Sequence, residues 1–264
     1  MRFLCRHSLI SWTAPSLSGQ TRRPYSDSLP IARDGQVGGG AGSSIDAQPG
    51  GKVYIRHSNG VETVGEVLEA TEPRFIVFTY GYPSGKPIPL GGSRVTIHLE
   101  PDPAGTRLHL LHEFLEAAPR DEHIQGWRFQ LSLFSNSVAN EVYSDAATIV
   151  DIWFRAWTIP DSREREEILV KVASPEITFQ DRYSLLDGMA DLTAHISAAQ
   201  RFMPGIALRR KGDGNVRQCQ GTVLADWIAV ASDGQERMSG TSVFSFRPDG
   251  RIGAVTSLSN PPPL

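Results

Sequence analysis

Pro73-Arg74-Phe75-Ile76-Val77-Phe78-Thr79-Tyr80 is the stretch that decides how the first half of this chain folds. Its β-branched and aromatic residues suit a pleated, half-buried surface, so it reads as a strand. Working outward, Arg94-Val95-Thr96-Ile97-His98-Leu99 alternates between two faces, and Thr106 to His112 repeats the alternation after the turn at Pro103-Ala104-Gly105. Upstream, Lys52-Val53-Tyr54-Ile55-Arg56 is strand-like, Ser58-Asn59-Gly60 is a turn, and Val61 to Ala70 is a second extended segment. The pattern predicts a β-meander of about five or six antiparallel strands. After Glu113 the period changes: Ile124, Trp127, Leu131, Phe134 and Val138 recur at three and four residues, the spacing of one buried helix face. One long helix should therefore pack on the sheet.

Between Glu141 and Ala147 the pattern restarts, which predicts a second domain. Ile149, Ile152, Trp153 and Ala156 trace an apolar helical stripe ending near Ile159-Pro160-Asp161. Ser162, with acids in the following turn, is placed to cap a helix from Arg163 to Lys171, and Ile177-Thr178-Phe179 is a short strand. Met189 to Phe202 reads as a third helix with Leu192, His195, Ile196 and Ala199 turned inward. Strands follow at Ile206 to Arg210, Asn215 to Val230, Arg237 to Phe246 and Ile252 to Leu258, separated by Ala231-Ser232-Asp233-Gly234 and Pro248-Asp249-Gly250.

A length of 264 residues is natural for two domains, and 40% hydrophobic with 21% charged residues is ordinary globular composition. A net charge of -3 supplies no basic field for nucleic acid, and no apolar run reaches the length of a membrane-spanning helix. Cys5 and Cys219 lie far apart without paired spacing, which argues against a disulfide framework and fits a reducing cytoplasm. The first 33 residues carry five arginines against Asp27, with many serines, and admit two readings: a transit peptide or an irregular terminus. Residues 1–42 as a whole, broken by prolines and by Gly38-Gly39-Gly40, are expected to lack a regular packed fold. His109 and His112, three apart on a strand, point to opposite faces, so no metal site is expected there.

Residues 43–143 resemble the AHSA1-like (Hsp90 ATPase activator homologue) branch of the SRPBCC, or START/Bet v 1, superfamily. The likeness is carried by Pro49-Gly50-Gly51-Lys52, Gly65-Glu66-Val67-Leu68-Glu69, the stretch 73–80 and His123-Ile124-Gln125-Gly126-Trp127. It implies an α+β fold with a long C-terminal helix on an antiparallel sheet. In that family an upstream strand and two short helices floor a ligand cavity; residues 1–42 do not read as those elements, so a truncated sheet with an incomplete cavity is expected.

Residues 146–264 resemble the SnoaL-like branch of the NTF2 fold, an α+β cone of curved antiparallel sheet around three helices. The matching motifs are Trp153-Phe154-Arg155-Ala156-Trp157, Phe179-Gln180-Asp181-Arg182-Tyr183, Gly188-Met189-Ala190-Asp191-Leu192, Ala225-Asp226-Trp227 and Gly240-Thr241-Ser242-Val243-Phe244. By that resemblance Asp181 falls where steroid-isomerase relatives hold a general-base aspartate, while Trp153 and Ser242 stand where those relatives build an oxyanion hole. His195, Tyr183 and Asp226 are further polar candidates, and Trp153, Trp157, Phe179, Met203 and Trp227 would line or close an apolar pocket.

The expected function is thus a two-domain protein binding a small apolar organic ligand in the second-domain cone. A cyclase- or isomerase-like enzyme using Asp181 and His195, and an interaction protein, are the alternatives. The interaction reading covers a homodimer through the NTF2-like sheet and contact with a chaperone of the Hsp90 class. No cofactor, metal, nucleic acid or membrane partner is expected.

Overall fold

The computed structural model describes residues 8–14, 42–57, 59–102, 105–115, 120–212 and 216–261. The chain is α+β and divides into two compact units, Met1–Val138 and Ala139–Leu264.

The first unit is built on seven strands: β1 (Ser8–Ala14), β2 (Ser44–Ile45), β3 (Lys52–Arg56), β4 (Glu62–Thr71), β5 (Phe75–Tyr80), β6 (Ser93–Asp102) and β7 (Gly105–Phe114). They form one antiparallel sheet in the order β1-β7-β6-β5-β4-β3-β2. Each consecutive pair from β2 to β7 is neighbouring in space, and the register follows the alternation of side chains. Ile76 faces Ile97, which faces Leu110; Phe78 faces Val95, which faces His112; Tyr80 faces Ser93, which faces Phe114. These rungs put Ile76, Phe78 and Tyr80 on one face with Leu108, Leu110 and His112, all buried. The helix α1 (Arg120–Val142) supplies Leu131, Trp127 and Phe134 to the same core.

One expectation is corrected here. The composition of residues 1–42 predicts an irregular segment, but Ser8–Ala14 pairs along its whole length with β7, from Ser8 opposite His112 to Ala14 opposite Thr106. The run Leu9-Ile10-Ser11-Trp12 is short and flanked by arginine- and proline-rich sequence, so its periodicity is weak. The driving force is non-local, because β7 would otherwise present an unpaired row of backbone donors and acceptors. The remainder of that segment, with the arginines behind the transit-peptide reading, lies outside the described residues.

The second unit contains α2 (Ala146–Ala156), α3 (Ser162–Val172), β8 (Ala173–Gln180), β9 (Leu185–Asp187), α4 (Gly188–Phe202), β10 (Ala207–Arg210), β11 (Arg217–Cys219), β12 (Thr222–Val230), β13 (Glu236–Phe246) and β14 (Ile252–Ser259). The sheet runs β10-β12-β13-β14-β8-β9, with β11 also on β12. It is not wholly antiparallel as expected: β8 and β14 pair in parallel, Phe179 beside Val255. The meander β12-β13-β14 ends with β14 running in the direction of β8, which had entered straight from α3. The core joins Val150, Trp153 and Phe154 of α2, Leu169 of α3, Leu192 and Ile196 of α4, and Phe179, Phe244 and Val255 of the sheet.

The start of α3 also differs from expectation. Its N-cap is Asp161 rather than Ser162: Asp161 is extended (φ -70°, ψ 120°) and its carboxylate accepts the Glu164 N–H at 2.8 Å. A carboxylate fits there for the same reason Ser162 was proposed, since the first helical N–H groups lack partners. Four residues on, Arg165 is 1% exposed and its guanidinium ties α3 to α4. It donates to the Ile159 carbonyl and to Gln200 Oε1, both at 2.9 Å, and to Ser197 Oγ. No helix among the described residues is long and apolar enough to cross a membrane.

Removing a buried donor strands its acceptors, so Arg165→Ala should destabilise the second unit by about 3 kcal/mol. Arg163→Ala, whose partner Glu167 sits exposed one turn away, should cost under about 0.5 kcal/mol. Urea unfolding of the full chain, followed by tryptophan fluorescence, separates the two; equal midpoints for both variants would contradict the assignment.

Candidate functional site

The inner face of the first sheet and α1 line a half-open cavity of about 630 Å³. Its walls come from Tyr54 and Ile55 of β3, from β5–β7 residues including Ile76, Phe78, Leu108 and Leu110, and from α1 residues Gly126, Trp127, Gln130, Leu131 and Phe134. The cavity the sequence left in doubt is present. Gly126 is exposed in mid-helix and a Cβ there would meet nothing within 4 Å, so this glycine, costly to helix stability, leaves the cavity wall thin where it stands.

One end of the cavity is polar and aromatic. Trp127 Nε1 donates to His112 Nδ1 at 3.0 Å, His112 Nε2 lies 2.8 Å from Ser93 Oγ, and Ser93 Oγ donates to the Tyr80 carbonyl at 2.7 Å. Ser93 has committed its proton to that carbonyl and the indole occupies Nδ1, so His112 carries its proton on Nε2 and donates it to Ser93. Burial, reinforced by nearby His123, holds His112 down to about 3. His112 is therefore a fixed neutral hydrogen-bonding group that joins the helix to the sheet.

The other polar groups at this end form a second set. Tyr82 Oη lies 3.2 Å from His123 Nε2, while His57 Nε2 lies 3.4 Å from Thr63 Oγ1 and 3.5 Å from Tyr80 Oη. The Tyr80 ring meets those of Tyr82, His123 and His112 edge-on, with centroids 6.0, 5.9 and 5.2 Å apart. Burial pushes the Tyr80 phenol well above its ordinary range, with Tyr82 adding to it, and burial followed by His123 lowers His57. At neutral pH His57 and Tyr80 thus present hydrogen bonds rather than charge. The rim adds Lys86 and Glu122. Among the described residues no cluster of three or more His, Cys, Asp or Glu side chains is placed to hold a metal.

The second unit gathers some of the expected site residues and scatters the rest. Trp153, Trp157, Phe179 and His195 form one aromatic group, with Trp157 to Phe179 at 5.3 Å, Trp153 to Phe179 at 6.2 Å and His195 to Trp157 at 5.8 Å. Trp153 is only 1% exposed and packs edge-on against Phe244, which makes it core rather than a pocket donor. His195 Nδ1 lies 3.3 Å from Ser184 Oγ. Asp181 forms a turn: its Oδ1 accepts the Tyr183 N–H at 2.8 Å and its own N–H donates to the Ser184 carbonyl. Ser242 is buried and donates to Ser257 Oγ at 3.0 Å. Trp227 is buried against Gly240, where a Cβ would lie 2.6 Å from the indole. Tyr183 and Met203 face solvent, at 74% and 42% exposure, because Tyr183 lies in the turn between β8 and β9 and Met203 caps the end of α4. A smaller cavity of about 90 Å³ in this unit is lined by Arg210, Lys211, Arg217 and the expected candidate Asp226.

His57, Tyr80, Tyr82 and Gln130 were not among the sequence candidates. Tyr80 was signalled by its parity with Ile76 and Phe78; His57, beyond the end of β3, gave no local signal.

The depressed pKa of His112 fixes the sign of a pH effect. The folded value lies below the ordinary 6.5, so the unfolded chain takes up the proton and acid destabilises the first unit. Its stability should fall by about 1.4 kcal/mol per pH unit on going down from 6.5 toward 3, with half-buried His57 adding in the same direction. His112→Gln should flatten that slope when urea midpoints are compared across the range; an unchanged slope would show that other groups set it.

Residues 40–137 match the family model of "Activator of Hsp90 ATPase homolog 1-like protein". No curated protein matches the chain. Among solved structures, the chain is similar to an Agrobacterium tumefaciens protein described as a candidate isomerase of the SnoaL-like family, with 22% identity over 45% of this chain and 99% of that one and a TM-score of 0.42. It is also similar to an NTF2-like protein of unknown function from Exiguobacterium (17% identity, 43% and 99% of the two chains, TM-score 0.36). A candidate polyketide cyclase from Sinorhizobium meliloti matches at 17% identity over 44% and 97%, with a TM-score of 0.34. Through residues 40–137, then, the chain is similar to the activator of Hsp90 ATPase homolog 1-like family.

Proposed function

We propose that this protein binds a small, largely apolar organic molecule, and that the ligand occupies the cavity of the first unit. The carrying observation is that cavity: about 630 Å³, walled by aliphatic and aromatic side chains, with hydrogen-bonding groups gathered at one end. Those are the features of sites that hold drug-sized molecules, whose volumes run from roughly 300 to 1,000 Å³. The sequence pointed instead to the second-domain cone. There the large aromatics Trp153, Phe179 and Phe244 pack on one another, and the Asp181 carboxylate is engaged in its own turn. This arrangement supports binding in the first unit over isomerase chemistry at Asp181.

Nile red, a neutral apolar fluorophore, should bind the full chain saturably at one site. Ile97→Trp, which enlarges a cavity-lining residue, should weaken that binding at least tenfold, about 1.4 kcal/mol, while Leu185→Ala on the surface of the second unit should leave it unchanged. Binding that persists undiminished in a folded Ile97→Trp protein would place the ligand elsewhere.

A further inference from the structure

We infer that the molecule held in this cavity is longer than the cavity: its apolar body lies inside, and an uncharged hydrophilic extension leaves through a gap held open by Gly126. The inference rests on the proposal that the cavity is the ligand site and adds which part of the ligand the cavity takes.

The lining residues divide by exposure. Ile76, Phe78, Leu108, Leu110 and Leu131 are buried, whereas the exposed ones include Asn59 and Val61 ahead of β4, Lys86 and Pro87 between β5 and β6, and Glu122 and Gly126 on α1. These exposed residues rim the mouth of the half-open cavity. Glu122 and Gly126 stand four residues apart in the first two turns of α1, and therefore on one side of the helix. The charged residues of the lining are Lys86 and Glu122, one of each sign. Their charges balance, so the mouth suits an uncharged extension over an ion.

Gly126 carries the inference. Inside a 23-residue helix a glycine lowers stability relative to alanine, because the unfolded chain loses more freedom on folding. Helices tolerate one where another element comes too close for a side chain, but a Cβ at Gly126 would meet nothing within 4 Å. The space beside it is open, faces solvent and borders the cavity. Passage of a ligand in and out does not by itself call for glycine, because an exposed side chain changes rotamer within nanoseconds and would swing clear. A group that stays in the gap does call for it, since a Cβ and its substituents would compete for that volume as long as the ligand is bound. The bound molecule therefore spans the gap, with one end in the apolar interior and the other in solvent.

Two probes test this on the full chain: 4-methoxybiphenyl, and the analogue with a hexaethylene glycol chain in place of its methyl group. They share one apolar body and differ in the extension alone. In displacement of Nile red from the parent chain, the two should bind within about threefold of one another, since the glycol chain stays solvated in the complex. In Gly126→Val the branched side chain is held almost wholly in one rotamer and cannot swing clear, so the glycol probe should lose at least about fivefold relative to the methoxy probe. Reading the ratio of the two affinities cancels any effect of the substitution on the cavity as a whole. Without ligand, Gly126→Ala should melt above the parent chain, because alanine favours the helix and meets no neighbour. Three results would overturn the inference: failure of the glycol probe to bind a parent chain that binds methoxybiphenyl, an unchanged ratio in a folded Gly126→Val protein, or a lowered melting temperature of Gly126→Ala showing that the glycine serves the fold. If neither Nile red nor methoxybiphenyl binds, the assignment of the cavity as a ligand site fails first and this inference with it.

Discussion

The hydrogen-bonded chain from Trp127 through His112 and Ser93 to the Tyr80 carbonyl is the constraint on which the first unit depends. It links α1 to β7, β6 and β5 in turn, using groups buried deeply enough that losing any one would leave the others unpaired. An apolar contact alone would let the helix slide over the sheet, because dispersion forces are not directional. A directed bond at one end holds α1 at a fixed height there, and the space that remains beyond it, under Gly126, Gln130 and Phe134, is the cavity. The same burial that fixes His112 as a neutral link also makes it an acid-sensitive one.

The second unit solves its packing differently. Its helices bring large rings to the sheet, and Trp153, Trp157, Phe179 and Phe244 satisfy one another through edge and tilted contacts. Polar groups are met locally: Ser242 by Ser257, the terminal nitrogens of Arg165 by α4 and the Ile159 carbonyl, Asp181 by its own turn. Two indole N–H groups, on Trp157 and Trp227, are buried without partners among the described residues. Residues of the kind that line pockets elsewhere are here spent on cohesion, which is why their presence in the sequence overstated the second unit as a site.

How much of this was legible depended on the range of the interaction. Phe75 to Tyr80, Arg94 to Leu99 and Thr106 to His112 declared themselves as strands because alternation is local, and α1 did so through the spacing from Ile124 to Val138. The cap of α3 was misplaced by one residue, since Asp161 and Ser162 are both good caps and only the backbone angles choose between them. β1 was missed because a seven-residue strand held at a sheet edge owes its existence to β7, nearly a hundred residues away. The parallel pairing of β8 with β14 is likewise a consequence of where the later meander ends.

Of the site itself, the sequence by itself determined which residues share a face: Ile76, Phe78 and Tyr80 on one strand, Ile124, Trp127, Leu131 and Phe134 on one helix. It also determined that the chain holds two cores, by the change of period after residue 143. Only the tertiary structure decided that Tyr82 and His57, from loops beside two different strands, meet His123 and Tyr80 at one end of a cavity, and that Asp181 and Ser242 are engaged by separate partners, the Tyr183 N–H and Ser257. The reason is physical: periodicity reports the direction of a side chain relative to its own element, whereas a pocket is the volume left when elements distant in sequence have settled against one another.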